Sequence, residues 1–160
     1  PGEYKESNDS SLVVLITYKD KKILFTGDAS YNIEDELAEY IGYIDLLKVS
    51  HHGSESSTSE NFVYSIRPKY SIISVGKNNS YGHPSKKVLK NLNNVNSKIL
   101  RTDLEGEIIF KIDDKISYKT YKNPQGFGTD MGLQIFSVII FITTLIQIKK
   151  NEELDEIRRI

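Results

Sequence analysis

Two adjacent histidines, His51 and His52, stand directly before Gly53, and they are two of the three histidines in the chain. The third is His83, which lies between a glycine and a proline, and an acidic residue, Asp28, directly follows a Thr-Gly pair. Imidazole and carboxylate groups are ligands that zinc and manganese accept from proteins. Because the chain contains no cysteine, these groups would have to hold any metal. The chemistry that such a site supports is the activation of water for hydrolysis.

Each of these residues comes after an apolar run and has a glycine nearby. Asp28 follows the run 23–26, the histidine pair directly follows the run 46–50, and His83 comes after the run 70–75. Open α/β sheets bind ligands at the carboxyl ends of their strands, so we expect these side chains to share one site. The alternative is that each is a turn or capping residue, since an aspartate often begins a helix. The placement of every histidine of the chain at these strand ends favours the shared site.

The elements that must position these residues predict an α/β fold. Apolar, β-branched runs bounded by turn residues indicate strands at 12–18, 23–26, 46–50, 70–75, 98–101, 107–112 and 116–121. A first helix is predicted from Asn32, as its N-cap, to Gly42. A capping box of Ser57 and Glu60 predicts the start of a second helix, and a third begins near Ser85. Strands that alternate with single helices are typical of a layered α/β fold.

Six short motifs occur along the chain in one order. They are Asn-Asp-Ser-Ser-Leu-Val-Val at 8–14, Thr-Gly-Asp at 26–28, Leu-Lys-Val-Ser-His-His-Gly-Ser at 47–54, Ser-Val-Gly at 74–76, Tyr-Gly-His-Pro at 81–84 and Arg-Thr-Asp at 101–103. As a set they resemble the second half of a metallo-β-lactamase-fold hydrolase domain. They are most similar to the carboxyl-terminal domain of ComEC-type competence proteins, the DNA-internalisation channel family. The similarity covers residues 8–112.

This resemblance implies half of an αββα sandwich and a metal-dependent hydrolase that acts on phosphodiesters, with single-stranded DNA as a candidate substrate. It implies zinc or manganese, as a binuclear centre in the complete domain. Asp28 would be the bridging ligand and His52 a terminal ligand. His83 would be a further metal ligand or a catalytic proton donor to the leaving group. His51 would bind the scissile phosphate or orient its neighbour, and the division of roles between His51 and His52 stays open.

The chain departs from the family in one respect. The family's main metal motif, His-x-His-x-Asp-His, is absent, since no two histidines here are separated by one residue. We therefore expect an amino-terminal half-domain to be missing and the chain to be inactive alone. The start at Pro1, with neither an initiator methionine nor a signal-peptide pattern, is interpreted as an internal or truncated beginning.

Charge limits the substrates but leaves two other functions open. A net charge of −1 and a pI near 6.4 argue against the basic surface of a non-specific DNA-binding protein, although bound metal would add local positive charge. The first alternative is a hydrolase of the same fold that acts on a small phosphoester. The second is a non-catalytic, membrane-tethered binding domain.

The sequence predicts four segments. Residues 1–122 form the metallo-β-lactamase-like domain, and 123–131 form a linker rich in glycine. The uncharged stretch 132–148 is a predicted transmembrane helix at the short end of the usual length, and the alternative is a helix docked on the domain. A charged tail at 149–160 begins with two lysines, which favours a membrane anchor with a cytoplasmic tail. These features predict a membrane-associated protein, and the resemblance implies a bacterial one; the side of the membrane stays open.

Overall fold

The computed structural model describes residues 7–122, and the order of its elements is mixed α/β, as predicted. The strands are β1 Val14–Tyr18, β2 Lys21–Phe25, β3 Leu46–Lys48, β4 Tyr70–Ile73, β5 Lys98–Arg101, β6 Glu107–Ile112 and β7 Ile116–Tyr121. The helices are α1 Tyr31–Ile41, α2 Glu60–Ile66, α3 Lys86–Asn94 and α4 Thr102–Glu105. Two short 3₁₀ turns lie at Ser7–Ser10 and Ser50–Gly53.

Five strands form one sheet in the order β1-β2-β3-β4-β5, and β6 and β7 form a separate antiparallel pair. β1 and β2 make an antiparallel hairpin, while the pairs β2–β3, β3–β4 and β4–β5 are parallel. Parallel neighbours need a crossover, and α1, α2 and α3 supply one each. The loops that follow β2, β3 and β4 therefore leave the same edge of the sheet.

The core lies between this sheet and the helices. Leu24, Leu47 and Ile73 of the central strands are fully buried. They belong to one apolar cluster with residues of α2 and α3, namely Phe62, Val63, Ile66, Val88 and Leu92. Each such side chain stabilises the fold by about 1.5–3 kcal/mol through burial of its apolar surface. This packing holds the three crossover helices, and hence the loops between them and the strands, in place.

The other face of the five-stranded sheet is called the open face here. Because side chains alternate along a strand, the pairings of Ile23 with Leu46 and of Leu46 with Tyr70 place these residues on it. Its members are Val14, Ile16, Tyr18, Lys21, Ile23, Phe25, Leu46, Lys48, Tyr70, Ile72, Lys98 and Leu100. The aromatic rings of Phe110 and Tyr118, from β6 and β7, cover Tyr70 at centroid distances of 5.6 and 5.9 Å. Much of the remaining open face is apolar and only half-buried.

Two predicted helix starts are wrong. α1 has Ser30 as its N-cap instead of Asn32, so the helix begins immediately after the Asp28 loop. α2 has Ser59 as its N-cap, with its hydroxyl accepting from the Phe62 amide, instead of a capping box at Ser57. The physical reason is that the Ser57 hydroxyl is buried and donates to carbonyl groups of its own loop. The predicted start of α3 is confirmed, since Ser85 accepts from the Val88 amide.

The segments predicted beyond the domain lie outside the described residues. The linker 123–131, the transmembrane helix 132–148 and the tail 149–160 therefore stay predictions. Among residues 7–122, none of the helices has the length and apolar character that crossing a bilayer requires.

A carboxyl group, Glu34, is fully buried on α1. One of its oxygens accepts from the backbone N–H of Thr58, and the other has no hydrogen-bond partner among the described residues. The pKa of Glu34 is raised to about 8, mainly by burial and to a smaller extent by the nearby Asp35, while the backbone amides of Thr58 and Ser59 lower it. The folded chain therefore keeps this carboxyl protonated at neutral pH.

Replacing Glu34 by glutamine should remove a pH dependence of stability. Between 4.5, its ordinary value, and about 8 the folded state holds one more proton than the unfolded state, so stability falls as the pH rises through this window. The free energy of unfolding of the wild type, relative to Glu34→Gln, should fall there by up to about 1.4 kcal/mol per pH unit and then level off. Urea unfolding at a series of pH values measures this. Glu36→Gln, an exposed change on α1, should keep the wild-type pH dependence. A difference between wild type and Glu34→Gln that is constant with pH would contradict the assignment.

Candidate functional site

The four residues predicted to share a site line one cavity. It has a volume of about 230 Å³ and is bounded by Asp28, His51, His52, Tyr81 and His83. The cavity lies where the loops after β2, β3 and β4 meet, at the carboxyl edge of the sheet. The structure thus brings the four residues together at one cavity, while the shared site and the role of each residue stay predictions.

The turn Ser50–Gly53 presents the histidine pair. His51 and His52 have φ angles of 46° and 55°, in the left-handed region that residues with a side chain rarely adopt. Such a backbone costs on the order of 1–3 kcal/mol per residue and persists only where the surroundings hold it. Here the His51 amide donates to the Gly27 carbonyl at 3.1 Å, and the Ser54 amide donates to the His51 carbonyl at 2.9 Å. The structure therefore fixes a strained turn at the place where the sequence predicts ligands.

Small hydroxyl groups fasten the Asp28 loop to this turn. The Thr26 hydroxyl donates to the Lys48 carbonyl at 2.9 Å, and the Ser50 hydroxyl donates to the Ala29 carbonyl at 2.6 Å. The Asp28 amide donates to the Ser11 hydroxyl at 3.2 Å. The Asp28 side chain is exposed on the cavity wall, so its carboxylate is accessible to a ligand.

His52 has a defined tautomer. Its Nδ1 lies 2.6 Å from the carbonyl oxygen of Ser74, and since a carbonyl can only accept, Nδ1 carries the proton. The lone pair is then on Nε2 of an exposed ring. A backbone carbonyl that orients an imidazole in this way is the usual outer contact of a metal-binding histidine.

His83 lies between two other rings of the site. Its imidazole stacks on Tyr81, with centroids 5.8 Å apart and planes 17° apart, and meets His51 edge-on at 5.9 Å. Burial lowers the pKa of His83, and charge on His51 or His52 lowers it further. The loop that carries His83 thus places it beside His51, although 31 residues lie between them in the chain.

The two histidine loops are in direct contact through Gly53 and Pro84. The Ser85 amide donates to the Gly53 carbonyl at 2.9 Å. A Cβ atom on Gly53 would lie 2.6 Å from Cβ of Pro84, and the φ angle of Gly53 is 82°. Only glycine therefore satisfies both the close approach and the backbone conformation at this position.

The donor chemistry fits zinc or manganese, but the described side chains do not form a complete ligand set. Among residues 7–122, no group of three histidine or acidic side chains is arranged to hold a metal. Two imidazoles on one zinc ion place their ring centroids roughly 5 Å apart. The centroids of His51 and His52 are 6.5 Å apart, and those of His51 and His83 are 5.9 Å apart. The described residues thus supply suitable donors in one cavity without a complete ligand set.

Two charged residues of the six motifs, Asp103 and Lys48, are not among the residues that line the cavity. Asp103 pairs with Arg101 through two hydrogen bonds, of 2.9 and 2.5 Å, and this pairing occupies both of its carboxylate oxygens. Lys48 was not predicted to matter, yet it lies half-buried on the open face, where burial lowers the pKa of its amine and Asp28 raises it. Its signal in the sequence is a charge within an apolar strand.

A second cavity, of about 210 Å³, contains neither an imidazole nor a carboxylate and is lined by Tyr64, Arg67, Asn94, Val95 and Asn96.

Residues 2–77 match the metallo-beta-lactamase superfamily. The predicted resemblance is confirmed. The matched region contains Asp28, His51 and His52 but ends before His83. The match agrees with the mixed α/β fold described above.

Three curated proteins are similar to most of the domain. The chain is 40% identical to ComE operon protein 3 of Bacillus subtilis (strain 168) over 111 residues, which is 68% of this chain and 14% of that protein. It is 36% identical to Recombination protein 2 of Haemophilus influenzae over 104 residues, 65% of this chain and 13% of that protein. It is 34% identical to Competence protein ComA of Neisseria gonorrhoeae over 115 residues, 69% of this chain and 17% of that protein. The chain thus corresponds to a small part of each of these longer proteins.

Gly53→Ala should destabilise the domain more than Gly82→Ala does. Both glycines have positive φ angles, of 82° and 71°, but a Cβ on Gly82 would meet nothing within 4 Å. The change at Gly82 should cost about 1–2 kcal/mol from backbone conformation alone, and the clash with Pro84 should bring the cost at Gly53 to about 2–5 kcal/mol. Denaturant unfolding of the two variants measures the difference, and equal losses would show that Gly53 and Pro84 are not in close contact.

Proposed function

We propose that this domain is part of a metal-dependent phosphodiester hydrolase related to competence and DNA uptake. The observation that carries the proposal is the single cavity at the carboxyl edge of the sheet, into which three separate loops bring one carboxylate and three imidazoles. The match to the metallo-beta-lactamase superfamily supports the hydrolase, and the competence protein among the relatives supports the setting.

The residues suited to hold zinc or manganese are Asp28, His52 and His83. When bound, such an ion supplies Lewis acidity and activation of water for hydrolysis of a phosphodiester. His52 would bind through Nε2, because its Nδ1–H is donated to the Ser74 carbonyl. Asp28 would be the bridging ligand of a binuclear centre, and His83 a ligand or the proton donor to the leaving group.

His51 has the position of a substrate-binding residue in this scheme. Its ring lies between those of His52 and His83, at centroid distances of 6.5 and 5.9 Å. A protonated or N–H-donating imidazole there would reach an oxygen of the scissile phosphate or orient its neighbour. Tyr81, whose side chain is 82% exposed, forms the outer wall of the same cavity.

An amino-terminal half-domain would complete both the fold and the site. Four apolar residues of the open face, Val14, Ile16, Phe25 and Ile72, are only half-buried. In an αββα sandwich this face packs on a second sheet, which would exclude water from it. The incomplete ligand set among the described residues agrees with this arrangement, since the remaining ligands would come from the amino-terminal half-domain.

Single-stranded DNA is the substrate proposed first, because Competence protein ComA and Recombination protein 2 are among the relatives. A net charge of −1 gives the chain no general attraction for DNA, so recognition would depend on the metal-bearing cavity. The same cavity would also suit a small phosphoester. Hydrolysis of a labelled oligonucleotide, compared with bis(p-nitrophenyl) phosphate and a cyclic nucleotide, distinguishes these substrates.

The chain by itself should hydrolyse phosphodiesters negligibly, and adding the amino-terminal half-domain should restore activity. The test fuses the chain to the amino-terminal half of a metallo-β-lactamase domain from one of the relatives and measures oligonucleotide cleavage with manganese or zinc. Cleavage should require the fusion and disappear with a chelator, and Asp28→Ala should lower it at least about 100-fold, because a metal ligand is lost. Asp20→Ala, a change at the exposed turn between β1 and β2, should leave it unchanged.

Two outcomes would contradict this proposal. Robust, chelator-sensitive turnover by the chain alone would show that the amino-terminal half-domain is not needed. A folded fusion that binds metal but cleaves none of the three substrates would favour a non-catalytic binding domain. Membrane association through the stretch 132–148 is a separate prediction that neither outcome affects.

A further inference from the structure

We propose that Asn79 is the positioning residue that sets His83 in the site, an inference that rests on the proposed function of the cavity. The Asn79 side chain donates through Nδ2 to the carbonyl oxygen of His83 at 2.8 Å. Its Oδ1 accepts from the backbone N–H of the same residue at 2.9 Å. One amide group therefore binds both backbone polar groups of His83.

His83 has need of such a partner because it belongs to no strand or helix. The segment between β4, which ends at Ile73, and α3, which begins at Lys86, is a loop throughout. Backbone groups in a loop receive no partners from a regular ladder, and a side chain can supply them. An amide has a donor and an acceptor on one planar group, and asparagine carries it on a shorter stem than glutamine. The Asn79 amide thus has both the donor and the acceptor that the His83 backbone needs, on a side chain of the right length.

Asn79 also connects His83 to the backbone segment 74–76, which other contacts hold in place. Its Nδ2 donates at 3.1 Å to the carbonyl oxygen of Gly76, at the start of the loop. The neighbouring Val75 is held on both sides by the Thr102 hydroxyl, which accepts from the Val75 amide at 2.8 Å and donates to the Val75 carbonyl at 2.9 Å. Asn79 therefore connects His83 to a segment that the sheet and α4 hold in place.

The same backbone segment, 74–76, orients a second histidine of the site. The carbonyl of Ser74, two residues before Gly76, accepts from Nδ1 of His52. Segment 74–76 thus fixes His52 directly and His83 through Asn79. The separation and the orientation of these two imidazoles depend on one short stretch of backbone. Loss of the Asn79 amide should free the His83 loop while leaving His52 in place.

The first test compares Asn79→Ala with Asn78→Ala in the metal-free chain. Asn78 is exposed and adjacent in the same loop, so its replacement is a matched control. In the wild type and in Asn78→Ala, nuclear Overhauser contacts should join the ring protons of Tyr81 and His83, whose centroids lie 5.8 Å apart. In Asn79→Ala these contacts should disappear, while the midpoint of urea unfolding stays close to that of the control. Retention of the ring contacts in Asn79→Ala would overturn the proposal.

The second test asks whether Asn79 acts through His83. Zinc affinity is read from imidazole chemical shifts, which report weak binding, for wild type, Asn79→Ala, His83→Ala and the double variant. Asn79→Ala should weaken zinc binding about 10- to 100-fold, as the loss of an outer contact of a ligand does. In the His83→Ala background the same change should have little further effect. Additive losses would show that Asn79 acts elsewhere.

The two tests separate this inference from the proposed function. Absence of zinc binding by the wild-type chain and by the completed domain would overturn the metal site. The ring contacts would still show whether Asn79 positions His83.

Discussion

The parallel pairing of β2, β3 and β4 is the constraint on which the site depends. Their register, with Leu24 opposite Leu47, places apolar side chains of neighbouring strands in one row against the helices. A slip by one residue would turn this row to the open face and expose it, so the register is held by burial of the core. Because the three strands end at one edge in this register, the loops after them meet there. Packing on the helix side of the sheet thus fixes which side chains share the cavity.

Short-range contacts then convert three nearby loops into one rigid unit. Hydroxyl groups of Thr26 and Ser50 bind backbone carbonyls of the neighbouring segments, and Gly53 allows Pro84 to approach closely. These contacts hold two consecutive histidines in a left-handed backbone, which is a local cost that a loop in water would relax. Among residues 7–122, four other non-glycine residues, Lys19, Thr58, Arg67 and Asn96, also have positive φ angles, but His51 and His52 are the two that are consecutive and that line a cavity.

Much of this arrangement could be predicted from the sequence, since apolar runs and glycines locate strands and the turns after them. The shared cavity followed from where Asp28 and the histidines stand relative to those runs. The N-cap of α2 could not be predicted, because Ser57 and Ser59 offer the same hydroxyl and only burial decides which one caps the helix. The Asn79 contacts were also beyond the sequence, because they depend on a loop fold that no local pattern encodes.

The central proposal is that Asp28, His52 and His83 bind metal in one cavity, with His51 directly beside the bound ion. A manganese titration of the chain, followed by paramagnetic broadening of the imidazole signals, tests it most directly because it detects weak binding. One site predicts that His51, His52 and His83 broaden together with a single midpoint, and that Asp28→Ala moves this midpoint to a higher concentration for all three. Broadening of the exposed His52 alone, or three separate midpoints that Asp28→Ala leaves unchanged, would contradict the claim.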